Sequence, residues 1–278
     1  GNPERYIRDY GISAAGQALG IPATVTVSGA AAYNNSYEAS SVQAFAAAGD
    51  PSLLRVAQVD YVKPEQMQSM EFGFRGKLSR TFTVDAAVYR NDFQDFINTQ
   101  VVLSPLYGEV GDGGLSVLAM ANGDFETWSS YTNSPAEISS WGISLGAQTK
   151  IFGNFDLSAN YTKAKLEFEQ ELYPDFRTNW NTPEHKIKAQ FGNTELFKNF
   201  GFNVAWRYWS EYLWQASFGD GMVPETHVID AQFNLTVPKW KSTIKVGATN
   251  LGGEEYFTAF GSGFIGTQYY ISWTANNF

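Results

Sequence analysis

The stretch WGISLGAQTKIFGNFDLSANYTKAKLEFE, residues 141–169, decides the fold. Trp141, Ile143, Leu145, Ala147 and Ile151 share one parity, while Gly142, Ser144, Gly146, Gln148 and Lys150 share the other. After Phe152-Gly153-Asn154 the pattern restarts, with Phe155, Leu157, Ala159 and Tyr161 against Asp156, Ser158, Asn160 and Thr162. A period of two is the signature of a β-strand. Two architectures use such a pair. A soluble sandwich buries the apolar parity in a protein core. A membrane barrel turns it to lipid and lines its lumen with the polar parity.

Working outward, the same period recurs from Met67 onward. MEFGFRGKLS sets Met70, Phe72, Phe74 and Leu78 against Glu71, Gly73, Arg75 and Lys77. FTVDAAVYRNDFQDFIN, HKIKAQFGNTEL, FGFNVAWRYW, VIDAQFNLTV, STIKVGATNL and GTQYYISWTANNF follow the same rule. About nine or ten strands result. Their connections alternate in kind. Arg80-Thr81, 152–154, 196–198 and 238–241 are tight; the others are long and rich in Gly, Asn, Asp and aromatics. Short turns on one side and long loops on the other describe an outer-membrane barrel, whereas a soluble sandwich has no reason to sort its loops. Trp141, Tyr161, Trp206 and Tyr208 fall at the long-loop ends, and Phe152 and Trp240 at the tight-turn ends, where interfacial girdles belong. The fold expected is therefore all-β, an antiparallel transmembrane β-barrel segment.

Composition agrees. Of the 278 residues 16% are aromatic and 26 are glycine, while only 17% are charged, below the usual quarter or so. The net charge of −9 argues against a nucleic-acid partner, which needs clustered Lys and Arg. The lack of cysteine excludes disulfides, thiolate metal sites and a cysteine nucleophile. No run approaches the roughly 18 apolar residues of a membrane helix. The opening GNPERYIRDYGISAAG is not a signal peptide, so for an exported protein the signal is expected upstream. Residues 1–60 are Ala-rich and low in charge. They read as a loop region with a short helix at EASSVQAFAAAGDP, capped by Ser40 or Ser41 and ended by Gly49 and Pro51. Residues 61–278 read as barrel strands.

Several stretches resemble the C-terminal barrel of TonB-dependent outer-membrane receptors. YVKPEQMQSMEFGFRGKLSRTFTVDAAVYRNDFQDFI, YTNSPAEISSWGISLGA, NTPEHKIKAQFG and NLGGEEYFTAFGSGFIGTQYYISWTANNF occur in that family's order, over roughly residues 60–278. The resemblance implies a 22-stranded barrel around an N-terminal plug. It implies a terminal Phe278 read by the assembly machinery, although Phe278 falls out of phase with Trp273 and Ala275 unless a bulge intervenes. No plug or TonB-box segment is recognisable. The chain is therefore expected to be the C-terminal part of a receptor whose plug and remaining strands lie elsewhere, nicked, split or truncated. Its first sixty residues would belong to an extracellular loop.

Sites of chemistry are few. His185 and His227 stand at strand starts without clustered partners, so rim positions are expected and no metal site. GDGG at 111–114 and FGDG at 218–221 lack the acidic spacing of a calcium loop and read as turns. Glu71 and Asp85 share the inward parity, where lumen charges are expected rather than a glycosidase pair. No nucleophile elbow is present, so no catalytic residue, cofactor or enzymatic activity is expected. The residues suited to a ligand are Arg207, Trp209, Tyr212 and Trp214 of RYWSEYLWQASFGDG, with Trp128 and Tyr131 of FETWSSY, since aromatic faces over a lumen mouth stack on sugars, peptides or chelates. Girdle and loop packing is the competing role for the same side chains.

The resemblance implies an active transporter of the bacterial outer membrane, importing an iron chelate, cobalamin, oligosaccharide or peptide. Its partners would be the plug, the TonB complex through that plug, outer-membrane lipid and lipopolysaccharide, and a surface lipoprotein lid in the glycan- or peptide-importing branch. A small porin or adhesin barrel and a soluble β-sandwich binding module are the other readings.

Overall fold

The computed structural model describes residues 5–216 and 219–275, and Phe278 lies outside them. The chain divides into two compact units. One comprises residues 1–67, 93–138 and 168–179, and the other 68–92, 139–167 and 180–278.

The second unit is organised by a nine-stranded sheet. Its strands are Gln66–Lys77, Thr83–Gln94, Ile138–Ile151, Phe155–Glu167, His185–Phe197, Phe200–Trp209, Thr226–Val237, Ser242–Thr249 and Gln268–Ala275. They lie in the sheet in chain order, an up-and-down meander. The pair read from 141–169 is antiparallel, with Trp141 opposite Lys165, Leu145 opposite Tyr161 and Ile151 opposite Phe155. Its tight turn places Phe152 at φ 46° and Gly153 at φ 90°. Left-handed residues there match the right-handed twist of the flanking strands. Asn199 and Lys241 take φ 66° and 46° in two other tight turns.

Register fixes two faces. Phe202 lies opposite Phe233, Phe233 opposite Val246, and Val246 opposite Ile271, forming one apolar row. One residue along, Gly201, Asn234, Lys245 and Ser272 form a polar row. The apolar face is bare: Phe72 is 75% exposed, Phe233 53% and Ile271 76%. In water each such side chain would forgo roughly 1.5–3 kcal/mol of burial. A sheet carrying many of them needs an apolar medium on that side.

The polar face is packed closely where glycines allow it. A Cβ on Gly142 would lie 2.5 Å from the Tyr89 hydroxyl, and one on Gly247 would meet the Tyr270 ring. Tyr270 Oη in turn donates to Gln232 Oε1 at 2.9 Å. These tyrosines lie flat across their glycine neighbours and help to pin strand register.

The first unit has its own core. The strand Ile97–Pro105 pairs with Phe125–Asn133, Tyr37–Glu38 and Phe176–Arg177. Tyr37, Val42, Phe45, Leu103 and Met120 pack together, bringing in the helices Ala39–Ala48 and Leu115–Asn122. The first sixty residues are thus more ordered than a loop with one helix. Their described residues carry the hairpin Ile7–Gly11/Thr24–Ser28, three α-helices and the short 3-10 helix Pro51–Leu53. Small side chains make this possible, since Ala32, Ala39 and Ala57 are all buried.

The expected helix forms, and Gly49 ends it in the left-handed conformation at φ 71°. Its capping differs from expectation. Ser40 and Ser41 lie inside the helix, with Glu38 at the N-cap position. Ser40 instead gives its N–H and hydroxyl to Asp175 at 2.7 and 2.8 Å, so a distant carboxylate satisfies the helix start.

The two faces make a directional prediction. In lipid vesicles Phe233→Arg should destabilise the folded protein by about 2–4 kcal/mol. Gln232→Arg, on the polar face, should cost much less. Urea titration of the heat-modifiable folded band measures both.

Candidate functional site

The long-loop ends of the Phe200–Trp209 and Thr226–Val237 strands carry a connected polar network. Arg207 and Asp230 both stand on the polar face. Arg207 Nη2 reaches Asp230 Oδ2 at 2.9 Å and Oδ1 at 3.1 Å. The Asn250 N–H also donates to Asp230 Oδ1 at 3.1 Å. Asn250 holds φ 56°, which the short side chain of Asn tolerates. Its side chain donates to the Glu254 carbonyl at 2.8 Å, and its own carbonyl accepts from Thr267 Oγ1 at 2.7 Å. One carboxylate therefore anchors both the arginine and the root of the 250–267 loop.

That loop meets the expected ligand residues. Trp209 is edge-on to Tyr256 with ring centroids 5.4 Å apart. Tyr256 is held by exchanging backbone hydrogen bonds with Ile265 at 3.2 and 2.7 Å. Tyr212 Oη donates to the Thr258 carbonyl at 2.7 Å, and the Phe260 ring occupies the space over Gly221. Tyr212 and Trp214 share one face of the hairpin Tyr212–Ala216/Gly219–Val223, 6.4 Å apart. Arg207, Trp209, Tyr212 and Trp214 are thus drawn around one loop. Arg207 Nε and Trp209 Nε1 are buried donors with no acceptor among the described residues.

Trp128 and Tyr131 belong to the other unit. They point to opposite faces of the Phe125–Asn133 strand. Trp128 packs beside Ala32 and Val102, edge-on to Tyr6 at 5.5 Å. Tyr131 is 63% exposed. The sequence brought these two together by proximity, and strand parity separates them. It missed Asp230, Asn250 and Tyr256 as positioning residues. Asp230 was visible as an inward carboxylate at the height of Arg207, but its partner in the sheet required the register.

Both histidines sit in aromatic rims. His185 Nδ1 is 2.8 Å from the Tyr161 hydroxyl, and His227 stacks on Trp206 at 5.9 Å and against Tyr208 at 4.8 Å. Among the described residues no three His, Asp or Glu side chains gather as metal ligands. Asp85 is paired with Arg75 at 3.5 Å on the polar face.

A sequence-family profile described as "TonB dependent receptor-like, beta-barrel" matches residues 21–251. Among solved structures, the copper transporter OprC aligns with a TM-score of 0.55 at 17% identity, covering 77% of this chain and 32% of its own. The siderophore receptor PirA from Acinetobacter baumannii gives 0.52 at 15% identity, covering 76% of this chain and 32% of its own. The FrpB iron transporter from Neisseria meningitidis gives 0.53 at 13%, with 77% and 32% covered. This chain spans about a third of the length of each. No curated protein sequence matches it.

The GDGG stretch of the first unit is a turn, and its acid has a structural task. Asp112 accepts from the Gly114 N–H at 2.8 Å and from Ser116 Oγ at 2.6 Å, at the start of the Leu115–Asn122 helix. The Ser116 hydroxyl, followed by the Gly114 amide, holds its pKa below the ordinary 3.8. A depressed carboxylate stabilises the fold above its ordinary pKa, and that contribution fades as pH drops through the folded value. The melting temperatures of wild type and Asp112→Asn should therefore differ at neutral pH and converge as pH falls from about 5 toward 3. A difference that holds constant over this range would remove the charged cap.

Proposed function

Because the chain belongs to the TonB-dependent receptor β-barrel family, we propose that it supplies the barrel wall and outer loops of an active transporter importing a scarce nutrient across the bacterial outer membrane. The observation that carries this reading is the two-faced sheet: a bare apolar side, a polar side, and a strict division between tight turns and long loops. Barrel segments in lipid need this division, because lipid accepts apolar side chains and offers the backbone no hydrogen bonds.

The cargo is drawn from iron chelates, cobalamin, oligosaccharides and peptides. Structural relatives titled as copper and iron transporters and as a siderophore receptor favour a metal or its chelate. Arg207 would offer its guanidinium to anionic or carbonyl groups of the cargo, and Trp209, Tyr212 and Trp214 flat aromatic faces. TonB, acting through a plug, would release the cargo inward; the chain itself catalyses no reaction. The strands Gln66–Lys77 and Gln268–Ala275 end the sheet. Their free N–H and C=O groups would pair with the remaining barrel strands. The long loops would face the lipopolysaccharide leaflet and, where one exists, a lipoprotein lid.

The test is genetic. A strain lacking the intact receptor is screened for growth on limiting iron chelates, cobalamin, glycans and peptides. Loss of growth on one nutrient, reproduced by loss of TonB, is expected. Restoring the receptor as Arg207→Ala/Trp209→Ala should lower uptake of that nutrient about ten-fold or more. Uptake that persists without TonB would overturn the reading.

A further inference from the structure

The charge of the tight-turn end runs against the chain. The protein is acidic, with a net charge of −9. Yet the turns around 198–199 and 238–241 carry Lys198, Lys239 and Lys241, and the nearest acid in sequence is Glu195. These turns are neighbours in space. Phe200 pairs with Leu235, and the Thr236 N–H donates to the Asn199 carbonyl at 2.7 Å. Some basic residues of the polar face are paired, Lys150 with Asp156 at 2.7 Å and Arg207 with Asp230 at 2.9 Å. Among the described residues no ion pair involves Lys198, Lys239 or Lys241.

Aromatic rings flank the three ammonium groups. Trp240 sits between Lys239 and Lys241 and is 65% exposed. Phe197, next to Lys198, is also exposed. Trp273, on the apolar face opposite Ile244, is 70% exposed. Exposed rings mark the level where hydrocarbon gives way to headgroups, and lysine stems reach from that level toward water. An ammonium group held there meets phosphate, the one abundant anion at that depth.

We propose that Lys198, Lys239 and Lys241, framed by Phe197, Trp240 and Trp273, form a binding site for the phosphodiester headgroup of an anionic phospholipid in the leaflet at the tight-turn side. The proposal rests on the bilayer reading of the apolar face. It adds a ligand that the transport function does not require. The lysines donate N–H bonds to the phosphate oxygens, and the rings hold the acyl chains just below. The site would tether one wall of the barrel to one class of lipid.

The experiment uses the intact receptor, as wild type, Lys239→Gln/Lys241→Gln and Lys239→Arg/Lys241→Arg. Each protein is first inserted into phosphatidylcholine vesicles and checked for the heat-modifiable folded band. Absence of that band in every protein would overturn the bilayer reading and this proposal with it. Lipid retention is then read by native mass spectrometry after titration with phosphatidylglycerol or phosphatidylcholine. Wild type and the arginine variant should retain phosphatidylglycerol over phosphatidylcholine. The glutamine variant should lose that preference by about five-fold per lysine removed. Folded protein with equal phosphatidylglycerol retention in wild type and glutamine variant would overturn the lipid site alone. So would full displacement of the lipid by millimolar inorganic phosphate, which would show a site for the free anion.

Discussion

The constraint on which this structure depends is that a backbone inside hydrocarbon must find its hydrogen bonds within the protein. The nine-stranded sheet meets it by running each strand beside the next in chain order. Side-chain alternation then follows from the pleat. One parity becomes an exposed row of Phe, Ile, Val and Leu, and the other becomes polar. The same constraint makes the two edge strands significant, because each has a strand of the sheet on one side only.

The other unit is built differently. The first unit uses mixed short strands and helices around a small core. It is closed by buried carboxylates that tie distant segments. Asp124 accepts from the Ser13 N–H and hydroxyl, both at 2.8 Å, and from Tyr107 Oη at 2.9 Å. Asp175 does the same for Ser40. A carboxylate accepting several charge-assisted bonds is strongly directional, which suits segments more than a hundred residues apart in sequence.

The two ends of the large sheet also differ in chemistry. At the long-loop ends, charges are paired and committed: Arg207 to Asp230, and Asp230 to Asn250. That pairing fixes the 250–267 loop over Trp209 and Tyr212 and gives a shaped, aromatic surface. At the tight-turn ends the lysines of two adjacent turns have no internal partner among the described residues, and the rings beside them are bare. An ordered end and an open end suit different partners, a soluble ligand on one side and a lipid surface on the other.

The sequence alone determined the strands of the large sheet, their parity and the sorting of its turns, but not the strands Ile97–Pro105 and Phe125–Asn133 of the other unit. All nine strands of the sheet were legible, because period-two alternation and turn residues are local signals that survive without tertiary help. The apolar face, and the place of Arg207 and Trp209 on the opposite, polar face, followed from the same parity. What only the tertiary structure decided are relations across the chain. Asp230 anchors a loop through Asn250 because register brings them together. Trp128 and Tyr131 part to opposite faces, and Asp175 rather than a local serine satisfies the start of the Ala39–Ala48 helix. In the Ala-rich opening segment only the Ala39–Ala48 helix was legible, and the segment packs against residues far along the chain such as Leu103, Leu106 and Met120. Local alternation writes itself into sequence, whereas contacts between distant segments depend on pairing that no short stretch encodes.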